Sequence, residues 1–194
     1  MNLKVKDLFY TLQGEGGRQG IPSIFIRLSG CNLNCDFCDT DFSGGEEVSW
    51  EQILLHIRQF PCSSIVWTGG EPALQLTDEC LCFFKKAGFY QAIESNGHYP
   101  LSELLDYTVV SPKGQPDYAR EINPVVDEVR LPVRENDWIP PIKSLPEAGY
   151  CFLSPVFTAD WEETKRNIDY CVKQVKQYPG WRLSLQIHKW IGID

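Results

Sequence analysis

The sequence predicts an α/β fold, an incomplete (partial) TIM-type barrel of mostly parallel strands with fewer helices than a full barrel. Three observations carry this expectation. Short apolar runs alternate with helix-like runs, the strand–helix–strand order that a parallel sheet requires. A complete (β/α)8 barrel takes roughly 250 residues, whereas this chain has 194. Polar clusters follow the strand runs, where such sheets keep their chemistry, at the C-terminal ends of the strands.

The strand candidates are Ser23–Leu28, Ser64–Thr68, Gln91–Ser95, Tyr107–Val110, Glu128–Leu131, Tyr150–Leu153 and Arg182–Ile187. Between several of them lie helix-like runs. Ser49–Phe60 opens on a Ser cap with Glu51 at the second following position; Leu76–Ala87 is ended by Gly88; Asp160–Gln177 is the third. At 43% hydrophobic and 12% aromatic residues, the chain has apolar material for one well-buried core, so residues 1–194 read as a single domain. Pro and Gly punctuate short segments and mark no long linker.

A net charge of −8 argues against a protein that tracks a phosphate backbone, which needs clustered Lys and Arg. The start, Met1-Asn2-Leu3-Lys4-Val5-Lys6-Asp7, lacks the pattern of a signal peptide, and no stretch approaches the roughly 18 apolar residues of a membrane span. The expectation is a cytoplasmic protein that engages neither nucleic acid nor membrane. Eight cysteines in a chain with its own core read as reduced thiols or metal ligands, because disulfide frameworks belong to short secreted chains. Cys62, Cys80, Cys82, Cys151 and Cys171 sit in apolar surroundings and are expected to act as small buried hydrophobes.

The other three are different. After the first strand candidate comes Ser29-Gly30-Cys31-Asn32-Leu33-Asn34-Cys35-Asp36-Phe37-Cys38-Asp39-Thr40, a spacing that lets one tight loop aim three thiolates at one point. A structural zinc site wants four closed ligands, and no fourth Cys or His lies near. Three local thiolates suggest instead a [4Fe–4S] cluster with one iron left open.

Further strand ends carry polar turns. Thr68-Gly69-Gly70-Glu71-Pro72 combines two glycines that permit close backbone approach with a carboxylate suited to an ammonium group, although Gly-Gly is also a plain turn. Glu94-Ser95-Asn96-Gly97 and Ser111-Pro112-Lys113 follow at the next strand ends, where ordinary turn chemistry and a solvated cation are the competing readings. Ahead of the cysteines, the glycines of Phe9–Gly20 are spaced wrongly for a dinucleotide fingerprint. That segment supplies Gln13 and Glu15 on a loop able to wrap a ligand.

Strand alternation places Arg27 on the face of Phe25 and Ser29, opposite Ile26 and Leu28. A buried guanidinium there demands an anion, either an ion-pair partner at the strand edge or a substrate carboxylate held in a fork. His188 falls at the end of the last strand candidate. His56, in a helix pattern, and His98, in a turn, are read as incidental.

The cysteine spacing, with Phe37 just before the third cysteine, resembles the radical S-adenosylmethionine (SAM) superfamily, in which the open iron chelates the amino and carboxylate groups of SAM. A wider set resembles, nearly end to end, the family of 7-carboxy-7-deazaguanine synthases. It comprises Leu12-Gln13-Gly14-Glu15-Gly16, the cysteines followed by Asp39-Thr40, the Gly-Gly-Glu-Pro turn, Ser111-Pro112-Lys113 and the late His188-Lys189.

The resemblance implies a homodimer with a radical SAM core of reduced helices, using a [4Fe–4S] cluster, SAM and Mg²⁺. It implies conversion of 6-carboxy-5,6,7,8-tetrahydropterin to 7-carboxy-7-deazaguanine in queuosine and related deazapurine biosynthesis, with an electron donor such as flavodoxin or ferredoxin. By the same resemblance Cys31, Cys35 and Cys38 ligate the cluster. Phe37, Thr68, Gly69, Gly70, Glu71, Ser95, Ser111 and Lys113 contact SAM; Leu12, Gln13, Glu15, Arg27, His188 and Asp194 face the pterin; Thr40 ligates Mg²⁺. Ser95-Asn96-Gly97 departs from the family's Thr-Asn-Gly form. Two rival readings remain at this point: a glycyl-radical activating enzyme, which shares the cysteine spacing but acts on a protein, and a non-catalytic iron–sulfur or zinc module.

Overall fold

The computed structural model describes residues 1–114 and 117–193. Its strands are β1 (Asn2–Leu12), β2 (Pro22–Leu28), β3 (Glu46–Ser49), β4 (Ser64–Gly69), β5 (Tyr90–Ser95), β6 (Tyr107–Val110), β7 (Val125–Val133), β8 (Glu147–Pro155) and β9 (Arg182–Leu183). The helices are α1 (Trp50–Ile57), α2 (Asp78–Lys86), α3 (Asp117–Ile122), α4 (Trp161–Gln177) and α5 (Ile187–Ile191). All nine strands form one sheet in the order β3-β1-β2-β4-β5-β6-β7-β8-β9. Every neighbouring pair from β2 to β9 is parallel, while β1 runs antiparallel to both β2 and β3. β3 and β9 end the sheet unpaired with each other, so the barrel is open. No helix among the described residues is long and apolar enough to cross a membrane.

Two strands escaped the sequence pattern for physical reasons. β1 carries a bulge between Val5 and Asp7 that breaks the period-two alternation. β3 is a short, acidic edge strand, Glu46-Glu47-Val48-Ser49, the kind of charged edge that discourages pairing with other chains. The last strand is shorter than expected, two residues instead of Arg182–Ile187, because β9 is the sheet edge and has no ladder beyond it to extend.

Helix starts are set by caps. The Ser49 hydroxyl accepts from the Gln52 amide while the Gln52 side chain accepts from the Ser49 amide, so the box closes through Gln52 and not Glu51. Thr77 caps α2, which therefore begins at Asp78, two residues after the expected Leu76. Asp160 caps α4.

The two faces of the sheet differ in chemistry. On the convex face, Ile24, Ile26, Leu28, Ile65, Trp67 and Ile93 are buried beneath Ile53 and Ile57 of α1 and Leu81 and Phe84 of α2. Val129, Leu131 and Leu153 pack with Cys171 of α4 and Trp181 in a second cluster. Each such side chain contributes roughly 1.5–3 kcal/mol by leaving water. The opposite, concave face presents polar side chains, among them Arg27 beside Thr68, and Glu94 across Val109 from Glu128.

The loop joining β1 to β2, residues 13–21, turns inward. It is closed by Gln13 N–H donating to the Ile21 carbonyl (2.9 Å) and Gly20 N–H to the Gln13 carbonyl (2.8 Å). Arg18 is buried at the N-terminal end of the barrel, donating to Ser64 Oγ (2.6 Å) with its guanidinium 4.5 Å from the Tyr90 ring centre. The Gly17 N–H donates to Glu128. At Gly16, φ is +67° and an added Cβ would run into the Glu128 carboxylate and the Arg130 guanidinium, so only glycine lets this segment thread the barrel.

Candidate active site

A cavity of about 220 Å³ opens at the C-terminal ends of the strands. Cys31, Cys35 and Cys38 line one wall, together with Phe37 and Thr40. Their loop is held by Gly30 N–H donating to the Phe42 carbonyl (3.0 Å), Cys38 N–H to the Cys35 carbonyl (3.2 Å) and a Lys6–Asp41 pair (2.7 Å). The three sulfurs share the cavity, and no three His, Cys, Asp or Glu side chains among the described residues are grouped so as to hold a single metal ion. Three thiols on one cavity wall suit a cluster in which each takes a different iron.

The turn after β4 docks on this loop. Gly70 N–H donates to the Leu28 carbonyl (3.0 Å) and Glu71 N–H to the Gly30 carbonyl (2.9 Å). A Cβ at Gly70 would strike the Gly30 carbonyl and Cys31 Cβ, so the second glycine is needed for loop against loop. Thr68, Gly69 and Gly70 line the cavity.

Glu71 differs from expectation. Its carboxylate is fully buried and already accepts from Ala73 N–H (3.0 Å), Ser95 Oγ–H (2.9 Å) and Asn96 N–H (2.7 Å), tying the end of β4 to that of β5. Burial pushes its carboxyl above the usual range against these donors. Ser95 lines the cavity, but its hydroxyl is directed to Glu71. Asn96, also in the lining, donates to Asn32 on the cysteine loop (2.8 Å).

Opposite, Lys113 Nζ donates to Ser111 Oγ (2.8 Å) and sits 5.6 Å from the Phe37 ring centre. Burial pulls this ammonium's pKa down, while Cys35 and Glu15 oppose the shift. It is a cavity-facing cation and not the solvated loop residue that was its competing reading.

The floor is ionic. Arg130 of β7 is buried and meets Glu128 (2.8 Å), Glu15 (3.1 Å) and Glu94 (3.1 Å). Gln13, buried, donates to Glu94 (2.8 Å) and accepts from Glu15 N–H (3.1 Å); it braces the floor and is not part of the lining. Gln186 donates to Glu15 (2.9 Å). Arg130, Glu128 and Gln186 are not among the site residues expected from sequence. A signal for the first two was present: Glu128 and Arg130 stand two apart in a strand and therefore on one face, opposite charges flanking an apolar Val129.

Arg27, Leu12 and His188 stand outside the lining. Arg27 is half-buried, donates to Thr40 Oγ1 (3.1 Å) and lies 5.6 Å from the Phe9 ring centre; no carboxylate among the described residues is within ion-pair reach. A buried arginine that does meet carboxylates is Arg130. Leu12 ends β1, half-buried against Pro22 of β2. His188 lies in the first turn of α5, not at a strand end; Ile187 N–H donates to the Gly14 carbonyl (3.0 Å) and the imidazole lies against Gly14. Burial lowers its pKa, opposed by Glu15. Lys189 pairs with Asp39 (2.6 Å), joining α5 to the cysteine loop. Asp194 lies outside the described residues. His98 packs on Tyr118 (3.8 Å between ring centres), and of the remaining cysteines Cys80, Cys151 and Cys171 are buried while Cys62 and Cys82 are only half-buried.

Comparison with known proteins agrees with this architecture. Residues 25–178 match the model of the radical SAM superfamily. Over full length the chain is 38% identical to the 7-carboxy-7-deazaguanine synthase of Bacteroides thetaiotaomicron, with 100% of each chain covered. It is 35% identical to that of Haemophilus influenzae (100% of this chain, 95% of the relative) and 36% to that of Burkholderia multivorans (100% of each). The crystal structure of QueE from Escherichia coli superimposes with a TM-score of 0.72 over 96% of this chain and 94% of that one, at 24% identity, a likeness of fold.

Proposed function

Since the chain belongs to the radical SAM superfamily and, within it, to the family of 7-carboxy-7-deazaguanine synthases, we propose that it converts 6-carboxy-5,6,7,8-tetrahydropterin to 7-carboxy-7-deazaguanine, with ring contraction and loss of ammonia. The observation that carries the reading is one cavity lined at once by three thiols, a Gly-Gly turn, a lysine–serine pair and an acidic floor. A protein-activating enzyme would need a face for a polypeptide, whereas these polar groups converge on a small ligand. A bare iron–sulfur or zinc module would have no use for Lys113 and Glu15.

The superfamily works with a [4Fe–4S] cluster and SAM, and Cys31, Cys35 and Cys38 would hold the cluster. When bound, the reduced cluster supplies one electron for cleavage of SAM, the source of a 5′-deoxyadenosyl radical that takes hydrogen from the substrate. The chain's own residues orient the partners. Backbone groups of Thr68–Gly70 would hold the amino acid moiety of SAM, and Lys113 with Ser111 would meet an anionic or hydroxyl group of it. Glu71 acts behind them, holding Ser95 and Asn96 in place. Arg27 stands outside the lining on Thr40 and would take the substrate carboxylate by turning its planar fork from that hydroxyl, while His188, also outside the lining and packed on Gly14, would close the far side.

Mg²⁺ would be held by Thr40, whose hydroxyl suits a hard cation. Thr40 Oγ1 accepts from Arg27 here, so Arg27 passing to the substrate carboxylate would release that oxygen to the ion. The working form is a homodimer fed by a small redox protein such as flavodoxin or ferredoxin.

Anaerobically reconstituted protein, given SAM, a reductant, Mg²⁺ and the carboxypterin, should yield 7-carboxy-7-deazaguanine by mass spectrometry. Alanine at any of Cys31, Cys35 or Cys38 should abolish it. SAM cleavage by iron-loaded protein without this product would refute the assignment.

A further inference from the structure

Residues 31–45, the segment that carries the three thiols, form neither helix nor strand, and none of them is buried. A loop without core packing opens at little cost unless polar contacts hold it. Here those contacts follow a pattern: the residue after each cysteine is bonded to a different point of the cavity rim. Asn32 Oδ1 accepts from Asn96 Nδ2, just past the end of β5 (2.8 Å). Asp36 accepts from Arg134, just past the end of β7 (2.8 Å), and Asp39 from Lys189 of α5 (2.6 Å).

The orientation of the Asn96 amide is fixed by its own Oδ1, which accepts from His98 N–H (3.0 Å), so Nδ2 is the atom turned to the cysteine loop. Arg134 makes a second contact with the loop, its guanidinium lying 5.5 Å from the Phe37 ring centre. A planar peptide keeps consecutive Cα atoms about 3.8 Å apart. Holding Asn32, Asp36 and Asp39 therefore confines the backbone of Cys31, Cys35 and Cys38 in turn.

We infer that Asn96, Arg134 and Lys189 are positioning residues, each tethering one thiol-bearing turn of the cysteine loop from a different side of the rim, so that the loop's grip on its cluster depends on polar contacts and not on the core. This rests on the cluster assigned above and on no part of the pterin chemistry. Two of the tethers are ion pairs between partly exposed groups, which salt screens. The third is a neutral amide pair, which salt leaves alone.

The test follows cluster loss from iron-loaded protein, without SAM, to an iron chelator at about 0.1 M and about 1 M salt, between which the Debye length falls from about 10 Å to about 3 Å. The wild type should lose its cluster faster at the higher salt. At the lower salt Arg134→Met and Lys189→Met should each speed the loss by about 1.5- to 5-fold, the worth of one exposed ion pair, and the double variant should show a much smaller salt response than the wild type. Asn32→Leu should speed the loss by about 2- to 10-fold and keep the full salt response. Arg134→Lys and Lys189→Arg, which retain the charge, should hold the cluster nearly as well as the wild type. Lys4→Met, which removes an ammonium that makes no ion pair among the described residues, should match it. The metal-free variants should melt with the wild type, since none of these side chains belongs to the core. Wild-type release rates in Arg134→Met, Lys189→Met and Asn32→Leu would overturn the inference, as would an undiminished salt response in the double variant. A wild type that takes up no cluster would strike the cluster assignment instead, a separate outcome.

Discussion

Adding one methyl group at Gly70 should test how the cavity is assembled. Its Cβ would lie on the backbone carbonyl of Gly30 and against Cys31, and neither can rotate away as a flexible side chain would. The turn after β4 must then lift from the cysteine loop, breaking the Gly70–Leu28 and Glu71–Gly30 hydrogen bonds. Overpacking of this kind costs about 1–3 kcal/mol, and a strained or lost backbone hydrogen bond about 1 more. At about 2–4 °C per kcal/mol for a domain of this size, Gly70→Ala should melt roughly 4–16 °C below wild type. The matched control is Gly44→Ala, in the same loop region at φ +71° with nothing within 4 Å of its Cβ. It carries only the left-handed backbone penalty of about 1 kcal/mol, or about 2–4 °C. Iron content and SAM cleavage should drop in Gly70→Ala and hold in Gly44→Ala. Equal melting of the two variants, with full iron loading in both, would show that the two loops do not need this close contact.

Arg27→Ala should weaken substrate use by about 10- to 150-fold, the range for one charge-assisted hydrogen bond at a half-buried site, with Arg27→Lys intermediate and SAM binding intact in both; comparing product formation with uncoupled deoxyadenosine release reads this directly. Thr40→Ala should blunt Mg²⁺ activation more than SAM binding, and an unchanged Mg²⁺ titration would exclude Thr40 as a ligand. Glu71→Gln should show a pH-dependent stability difference. A carboxyl raised by burial binds its proton more readily folded than unfolded, so its contribution to stability falls as pH rises from about 4.5 through the folded pKa. The melting temperature of Glu71→Gln relative to wild type should therefore improve between pH 4.5 and 7.5, and a constant offset would refute the burial argument.

What the sequence made legible was local. The internal strands β2 and β4 to β8 announced themselves by apolar runs, the edge strand β9 was foreseen in place but drawn too long, and the cysteine loop showed itself by spacing alone. The strands at the sheet's antiparallel edge were hidden because β1 breaks its own period with a bulge and β3 is made of charges. The candidate site was legible where its lining falls on strand-end loops, at Cys31, Gly70 and Lys113. It was hidden where the lining and its supports lie inside the barrel: Arg130 and Glu128 read as ordinary alternation in a strand, and only the curvature of the sheet brings Glu94 and Glu15 to them. Glu71 carried the right motif but a different employment, since spacing cannot say that the carboxylate turns inward to Ser95 and Asn96.

The inward-turned β1–β2 loop has a consequence for how specificity is encoded. In a full barrel the interior is packed by layers of side chains drawn from many strands, so reshaping it means changing distant parts of the chain together. Here residues 13–21 fill that space as one continuous insert, with Arg18 seated at one end and Glu15 at the other. Of these nine residues Glu15 alone lines the cavity, so the insert closes the barrel beneath the ligand chamber and offers it a single carboxylate, while the rest of the wall is drawn from strand ends and loops spread along the chain.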